Sequence, residues 1–487
     1  MRNLQDILKN VKVLETFNQT EIEVEGIAFD SRKVQENYIF VAQKGVETDG
    51  HLFIDKAISN GAKVIVCEDL PKTLQEDIIY IKVKDPSLAL GIMASNFYDN
   101  PSKKLKLIGI TGTNGKTTTV TLLHKLFCDL GYKSGLISTI ENKIFDKVIS
   151  TERTTPDQIT LNQLLSQMAE EGCEYAFMEV SSHAVVQNRI AGLKFFGAVF
   201  SNITHDHLDY HKTFDNYIKA KKKFFDDLSA KAFAVTNIDD KNGNIMLQNT
   251  KAKKYTYSLS SAKADFRATI IDNSFEGLHL SINGTEIYAR LIGKFNAYNL
   301  LAISSVALLC GIDKEKVFVT LSSLGSAKGR FECYRTKQGA VAIIDYAHTP
   351  DALENVLNTI HAVNARKQNK IFTVVGCGGD RDKTKRPVMA CLAQSLSDTL
   401  ILTSDNPRTE KPEDILQDMK QGLKTTNDNS KCKVFTIIDR AEAIHLACSL
   451  AEKDDIVLIA GKGHENYQEI NNVKHHFDDK EEVFKHC

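Results

Sequence analysis

Leu107-Ile108-Gly109-Ile110-Thr111-Gly112-Thr113-Asn114-Gly115-Lys116-Thr117-Thr118-Thr119 is an apolar run, then a Gly-rich turn, then Gly-Lys-Thr. Val120, Leu122, Leu123 and Leu126 follow with the apolar spacing of a helix. Strand, loop and helix in that order form the context of a phosphate-binding loop. Glycines let the backbone amides of Gly112, Thr113, Asn114 and Gly115 converge on an anion with Thr118 also in contact, and the helix N-terminus adds its dipole. Lys116 is expected to reach the β- and γ-phosphates of a nucleotide, and Thr117 to place its hydroxyl on Mg²⁺. The usual first glycine position holds Ile110, flanked by Gly109 and Gly112, so this is a variant of the loop. An ordinary turn carrying a chance Gly-Lys-Thr is disfavoured, because strand and helix both fall where the motif needs them.

The length of 487 residues is too great for one core and suggests about three domains. The chain is 42% hydrophobic and 25% charged, as in globular proteins, and its net charge of −1 creates no bulk field for nucleic acid or membrane. No apolar stretch approaches the roughly 18 residues of a membrane-spanning helix. Met1–Leu14 mixes polar and apolar residues, unlike a secretory leader. Ten cysteines lie scattered without a C-x-x-C pair, which fits reduced thiols and a cytoplasmic location.

The alternation of elements predicts an α/β protein. Residues 1–104 read as a small α/β domain, with strands at Tyr38–Ala42, Ala62–Cys67 and Ile78–Val83 and a helix near Phe53–Ser59. Asp99-Asn100-Pro101-Ser102 reads as a linker. Residues 105–330 read as a central phosphate-loop domain with a parallel sheet. A β-hairpin excursion around Asn283-Gly284 and a helix over Ala297–Leu309 belong to it. Residues 331–487 read as a Rossmann-like block with strands at Val341–Asp345, Ile371–Val375, Thr399–Thr403, Val434–Ile438 and Ile456–Ala460.

Several polar groups stand at strand ends. Glu179 closes the strand Tyr175–Met178 and could hold the Mg²⁺ of a bound nucleotide, or simply cap the next turn. After Phe196–Ser201 comes Asn202-Ile203-Thr204-His205-Asp206-His207-Leu208-Asp209-Tyr210-His211, whose spacing is not that of a zinc site. One imidazole helping to hold Mg²⁺ is the more economical reading, with His205 and His211 as surface or core groups. In Lys219-Ala220-Lys221-Lys222-Lys223, three lysines read as a solvated helix face, and the spacing does not single out the fourth. Gly376-Cys377-Gly378-Gly379-Asp380-Arg381 starts like a dinucleotide fingerprint, but Arg381 occupies its third glycine position, which argues against nicotinamide. Four polar loops, at 345–350, 376–381, 404–408 and 461–465, end strands of this last block and should line a ligand crevice. Arg381 and Arg408 there favour an acidic ligand, because a guanidinium grips a carboxylate through paired hydrogen bonds. Surface ion pairs are the plainer alternative.

Over its full length the chain resembles the Mur ligase family. The resemblance rests on Thr-Gly-Thr-Asn-Gly-Lys-Thr-Thr (111–118), Glu-Val-Ser-Ser-His (179–183) and Asn-x-x-x-Asp-His-Leu-Asp-x-His (202–211). It rests equally on Gly-Lys-Phe-Asn-x-x-Asn (293–299), Gly-Arg-Phe-Glu (329–332) and Asp-Tyr-Ala-His-x-Pro (345–350). Within the family it is similar to the members that add the third amino acid of the peptidoglycan stem peptide. The resemblance implies an ATP-dependent, ADP-forming amide ligase acting through an acyl phosphate on UDP-N-acetylmuramoyl-L-alanyl-D-glutamate. It implies that Ser31, Thr154, Thr155, Ser181, Gln187 and Arg189 bind this UDP-sugar dipeptide. It selects Lys221 as a lysine carbamylated by CO₂ that shares Mg²⁺ with Thr117, Glu179 and His207. Asn296, Asn299, Arg330 and Asp345 are then ATP contacts, and Lys116, Lys221 and His348 the catalytic side chains. Asp405-Asn406-Pro407-Arg408 is the form associated with meso-2,6-diaminopimelate, with Arg381, Gly461 and Glu465 as its further contacts. The expected partners are these small molecules, with neither nucleic acid nor membrane insertion, and the expected state is a monomer. The alternatives are the L-lysine-adding ligase, a folylpolyglutamate synthetase, or a non-catalytic nucleotide-binding module. The distal carboxylate of diaminopimelate would satisfy Arg408, whereas lysine would leave that cation facing an ammonium.

Overall fold

The structure, a computed structural model, describes residues 1–45, 48–151, 153–365, 369–424 and 432–486, at Asp209 the backbone alone. The chain forms two compact units, Met1–Phe266 with Ala302–Val317, and Arg267–Leu301 with Phe318–Cys487.

The first unit contains two sheets. Continuous runs such as Val64-Ile65-Val66 are buried on both faces, as parallel strands covered by helices require. The five-stranded sheet runs Val13–Phe17, Ile79–Val83, Ala62–Cys67, Tyr38–Val41, Gly26–Ala28. All neighbours are parallel except the edge strand Val13–Phe17, which was not anticipated. Its burial is slight, so it carries little of the apolar signal that marks the others. The helix Pro86–Phe97 ties this part to the next. The Ser87 hydroxyl donates to the Gln187 carbonyl (2.8 Å), and Gly91 lies so close to Ala191 that a side chain would collide. Asp99-Asn100-Pro101-Ser102 is accordingly not a loose tether. Asp99 and Asn100 turn with positive φ, and buried Ser102 accepts from the Lys194 amide at 3.0 Å.

The second sheet of this unit has the strand order Ser134–Ile137, Tyr175–Glu179, Lys106–Thr111, Gly197–Phe200, Phe233–Asn237, Lys253–Ser258, all parallel. A short hairpin, Asn142–Ile144 with Lys147–Ile149, extends its Ser134 edge. Lys106–Thr111 is central, so the carboxyl ends of both neighbours, at Glu179 and at Ser201, flank whatever follows Thr111. That is the geometry of a ligand crevice in an open α/β sheet.

The second unit holds a six-stranded sheet, Glu332–Arg335, Val341–Asp345, Ile456–Ala460, Ile371–Val375, Thr399–Leu402, Lys433–Thr436, parallel except for its first strand. The region expected as a hairpin is an antiparallel meander. Phe266–Ser274 pairs with Gly277–Ile282, which pairs with Thr285–Ala289. Asn283 and Gly284 form the tight turn, both with positive φ. Phe266–Ser274 escaped notice because its outer face is polar. A polar hairpin, Tyr467–Ile470 with Val473–His476, turning at Asn471-Asn472, escaped for the same reason. No described helix is long and apolar enough to cross a membrane.

Candidate active site

The phosphate loop follows Lys106–Thr111 and leads into the helix Lys116–Asp129. It is braced from the side by residues 201–204. The Thr113 amide donates to the Asn202 carbonyl (2.8 Å), and the Asn114 amide to Asn202 Oδ1 (2.9 Å). The Ser201 hydroxyl donates to the Asn114 carbonyl (2.7 Å). A Cβ on Gly112 would run into Ser201, so glycine is required for this approach. Lys116 Nζ folds back onto the carbonyls of Gly112 (2.9 Å) and Thr113 (2.8 Å).

Lys221 is the one lysine of its run that points inward. Thr213 caps the helix Phe214–Asp226, and its apolar face buries Tyr217, Phe224 and Phe225. Phe224 packs where a side chain on Gly109 would be, which sets the helix directly on the phosphate-loop strand. Lys221 lies on that buried face, 1% exposed, with Nζ 2.8 Å from the Gly112 carbonyl and 4.6 Å from the Tyr217 ring centre. Burial, reinforced by the charge of Lys116, pushes its pKa well below the ordinary lysine value. Lys219 and Lys223 stand in solvent, paired with Asp215 and Asp227. Lys222 differs from expectation, being largely covered and held by Asp226.

Glu179 is fully buried at the end of its strand. Its Oε1 accepts from the Thr139 amide (2.8 Å) and hydroxyl (3.1 Å), whereas Oε2 is buried without a hydrogen-bond partner among the described residues. A buried carboxylate oxygen left bare costs free energy, and a divalent cation would satisfy it. Among the described residues no three or more His, Cys, Asp or Glu side chains form a ready metal cage. Thr117 is buried in the first turn of the helix Lys116–Asp129.

Beside Glu179, five residues expected to hold the sugar-peptide meet. The Thr155 hydroxyl donates to the Glu179 carbonyl (2.8 Å) and accepts from the Ser181 amide (3.2 Å). Arg189 Nη1 donates to the Thr155 carbonyl (2.7 Å), and its Nε and Nη2 grip Gln187 Oε1. Thr154 Oγ1 lies 3.0 Å from the Thr139 hydroxyl. Ser31 stands elsewhere in this unit, in the turn after Gly26–Ala28, its carbonyl accepting from Asn60. His207 has positive φ, is half-exposed, and its ring meets those of His183 (5.0 Å) and Tyr217 (6.0 Å). His211 is a buried group bonded to the Ser182 hydroxyl (2.8 Å), and His205 lies exposed against Phe214.

In the second unit, buried Asn296 and Asn299 are hydrogen-bonded to each other (3.0 Å). Arg330 lies over the Tyr346 ring (4.8 Å), its Nε buried and without a hydrogen-bond partner among the described residues. Burial raises Asp345 to about 6 against the pull of Arg330, and its Oδ2 accepts from the Phe331 amide (2.8 Å). His348 is exposed, Nδ1 being 2.9 Å from the Tyr346 carbonyl. Arg408 turns with φ 51°, donates to the Gly379 carbonyl (2.7 Å) and approaches Glu469 (3.4 Å). Arg381 is exposed on the same loop as Gly379. Pro407 is buried between Asn406 and Arg408, and a Cβ on Gly461 would meet Asp405 Oδ2. Asn406 Nδ2 donates to Glu465 Oε2 (2.7 Å). Burial and the charge of Asp405 raise Glu465, while Lys462 and Asn406 oppose the rise.

Residues 23–98 match the catalytic domain of the Mur ligase family, 110–307 the Mur ligase middle domain, and 329–463 the Mur ligase glutamate ligase domain. The UDP-N-acetylmuramoyl-L-alanyl-D-glutamate--2,6-diaminopimelate ligase of Bacteroides fragilis is 55% identical over 478 residues, 98% of each chain. The chain belongs to the Mur ligase family. Among other Mur ligases, the enzyme of the same name from Cytophaga hutchinsonii is also 55% identical, over 98% of this chain and 97% of its own. A solved Mur ligase of that name superposes with TM-score 0.71 at 35% identity, covering 99% of this chain and 98% of the other. The Mur ligase of Acinetobacter baumannii described as UDP-N-acetylmuramoylalanyl-D-glutamyl-2,6-diaminopimelate--D-alanyl-D-alanyl ligase gives 0.61 at 20% identity over 94% and 95%, a likeness of fold alone. Sequence reasoning gave no role of their own to Ser201, Asn202, Tyr217 and Lys462. Ser201 and Asn202 carried a signal, a strand end next to the loop. Tyr217, whose hydroxyl sits 3.1 Å from Thr113 Oγ1, opens the Tyr-x-x-Ala-Lys pattern that ends at Lys221, and Lys462 carried no signal beyond its place in a polar loop.

Proposed function

We propose that this protein is an ATP-dependent ligase joining meso-2,6-diaminopimelate to the D-glutamate side-chain carboxylate of UDP-N-acetylmuramoyl-L-alanyl-D-glutamate, with release of ADP and phosphate, in peptidoglycan precursor synthesis. The observation that carries this reading is the meeting of Lys116 and buried Lys221 on the Gly112 carbonyl of the phosphate loop. The names of the relatives support the choice of substrates. We take residues 1–104, 105–330 and 331–487 as the modules for UDP-sugar, ATP and amino acid.

In this reading the amides of Gly112–Thr118 and the Lys116 ammonium bind the triphosphate, with Asn296, Asn299, Arg330 and Asp345 on the rest of the nucleotide. Thr154, Thr155, Ser181, Gln187 and Arg189 orient the dipeptide, and Ser31 its UDP end. The glutamate carboxylate attacks the γ-phosphorus, ADP leaves, and an acyl phosphate results. The amine held by the last module attacks the acyl carbon and phosphate leaves. The amine's proton passes to His348 or to the departing phosphate.

Mg²⁺, when bound, neutralises phosphate charge and lowers the barrier to transfer. Thr117, Glu179, His207 and Lys221 would hold it, Lys221 as a carbamate. A neutral, buried amine is the form that adds CO₂, and the product is an anion where an ammonium would repel the metal. Phosphate release with diaminopimelate, with L-lysine and with neither tests the reading. Stimulation by diaminopimelate is expected. Preference for lysine would assign the lysine-adding branch, and nucleotide binding without turnover a non-catalytic module.

A further inference from the structure

Lys462 is completely buried in the second unit, directly behind the Asp405–Arg408 loop. Its Nζ lies 3.0 Å from Asn406 Oδ1 and 3.3 Å from Glu465 Oε2. Asn406 Oδ1 also accepts from the Glu469 amide (3.0 Å), so its acceptor side is fully engaged. With the oxygen held in this way, the amide turns Nδ2 onto Glu465 Oε2. Both constraints on Glu465 thus fall on one oxygen. Among the described residues Oε1 has only the Tyr346 hydroxyl at 3.4 Å, a contact at the limit of a hydrogen bond. A carboxylate gripped from behind by one oxygen presents the other as an oriented acceptor.

We propose that Lys462 is a positioning residue for the amino-acid substrate: it holds Glu465 aimed so that Oε1 receives the substrate's ammonium group. The inference rests on the reading given under Proposed function and deepens it, since Lys462 is fully enclosed and its hydrogen bonds go to Glu465 and Asn406, with the Tyr467 ring 5.4 Å away. The physical need is plain. Glu465 sits near a second carboxylate, Asp405, and both burial and that neighbour favour its protonated form. A protonated Glu465 would lose most of its attraction for an ammonium. Lys462 supplies the opposing charge from the side the substrate cannot reach.

The test is a double-mutant cycle on the full-length protein, read as KM for diaminopimelate and for ATP. Lys462→Met keeps the length of the side chain and removes its charge. It should raise KM for diaminopimelate by about tenfold or more, with KM for ATP changed less than about twofold. Glu465→Gln should do the same. In Lys462→Met/Glu465→Gln the KM should stay within about twofold of that of Glu465→Gln alone, because the group Lys462 serves is already gone. Additive losses, or equal losses for both substrates, would overturn the inference and leave Lys462 as a packing residue. If Lys462→Met alone does not fold, the double variant decides, since removing both members of a buried pair is tolerated where removing one is not. A folded double variant with the KM of Glu465→Gln supports the inference, and an unfolded one overturns it. Absence of diaminopimelate-dependent turnover in the unaltered protein would instead sink the proposed function.

Discussion

The Nζ of Lys221 donates to the carbonyl of Gly112 across 2.8 Å, although 109 residues separate the two in sequence. The contact seats a buried amine on the phosphate loop itself. Lys221→Ala should lower kcat by about 10³-fold, on the scale of losing one electrostatic element of a transition-state site. Short carboxylates added in solution should restore part of the activity. Turnover assays with and without acetate check this, and full activity in the plain variant would exclude the carbamate.

Arg408 is held by the Gly379 carbonyl and Glu469 with its guanidinium partly exposed. A charge-assisted hydrogen bond to a carboxylate is worth about 1.5–3 kcal/mol. Arg408→Ala should therefore raise KM for diaminopimelate by about 10- to 100-fold and leave KM for ATP near its starting value. Initial-rate kinetics in each substrate decide the point, and parallel rises in both would remove Arg408 from the pocket.

Arg386 is fully buried, with Nη2 2.8 Å from Glu410 Oε1 and Nη1 2.8 Å from Asp418. Glu410 Oε1 in turn accepts from the Asp380 amide (2.6 Å), so the network fastens the loop that carries Arg381. Arg386→Met removes the main partner of Glu410, which keeps Lys383 (3.2 Å) and the Asp380 amide, and should cost about 1–3 kcal/mol of stability. The hydrogen bonds from Arg386 hold Glu410 down to about 2, against 4.5 ordinarily. Its contribution is complete above the unfolded value and is lost as pH falls from 4.5 towards 2. Denaturant unfolding of the parent at several acid pH values should show that loss, and Arg386→Met should show a smaller one, because Lys383 and the Asp380 amide still hold Glu410.

His124 is buried, its Nδ1 2.8 Å from the Ser134 hydroxyl, and burial lowers it to about 4 from 6.5. Between those values the unfolded chain takes up a proton that the folded chain refuses. Stability should fall with decreasing pH over that window, by about 1.4 kcal/mol per unit for one group. Comparison with His124→Gln isolates the effect: the variant's stability should be flatter between pH 6.5 and 4, and an unchanged slope would refute the assignment.

Elements with a strong apolar signature could be read directly from the chain. Ala62–Cys67, Val341–Asp345, Ile371–Val375 and Ile456–Ala460 form at the expected residues because each is buried on both faces. Strands with a polar face, Phe266–Ser274 and Val473–His476, offered no such pattern and were missed. The phosphate loop was legible because its glycines answer to local backbone geometry. Lys221 could not be told from its neighbours by spacing, since the choice depends on which helix face meets Gly109.

The sequence by itself determined the α/β class, the phosphate loop and the polar strand ends, because these follow from the period of the apolar residues and the conformational freedom of glycine. Only the tertiary structure decided that one lysine of a basic run lies buried on the loop, that one oxygen of Glu179 is left bare, and that Lys462 stands behind Glu465. Such relationships join residues distant in the chain. Their energies come from burial and from the pairing of charges in a low-dielectric interior, quantities that exist only once the chain has folded.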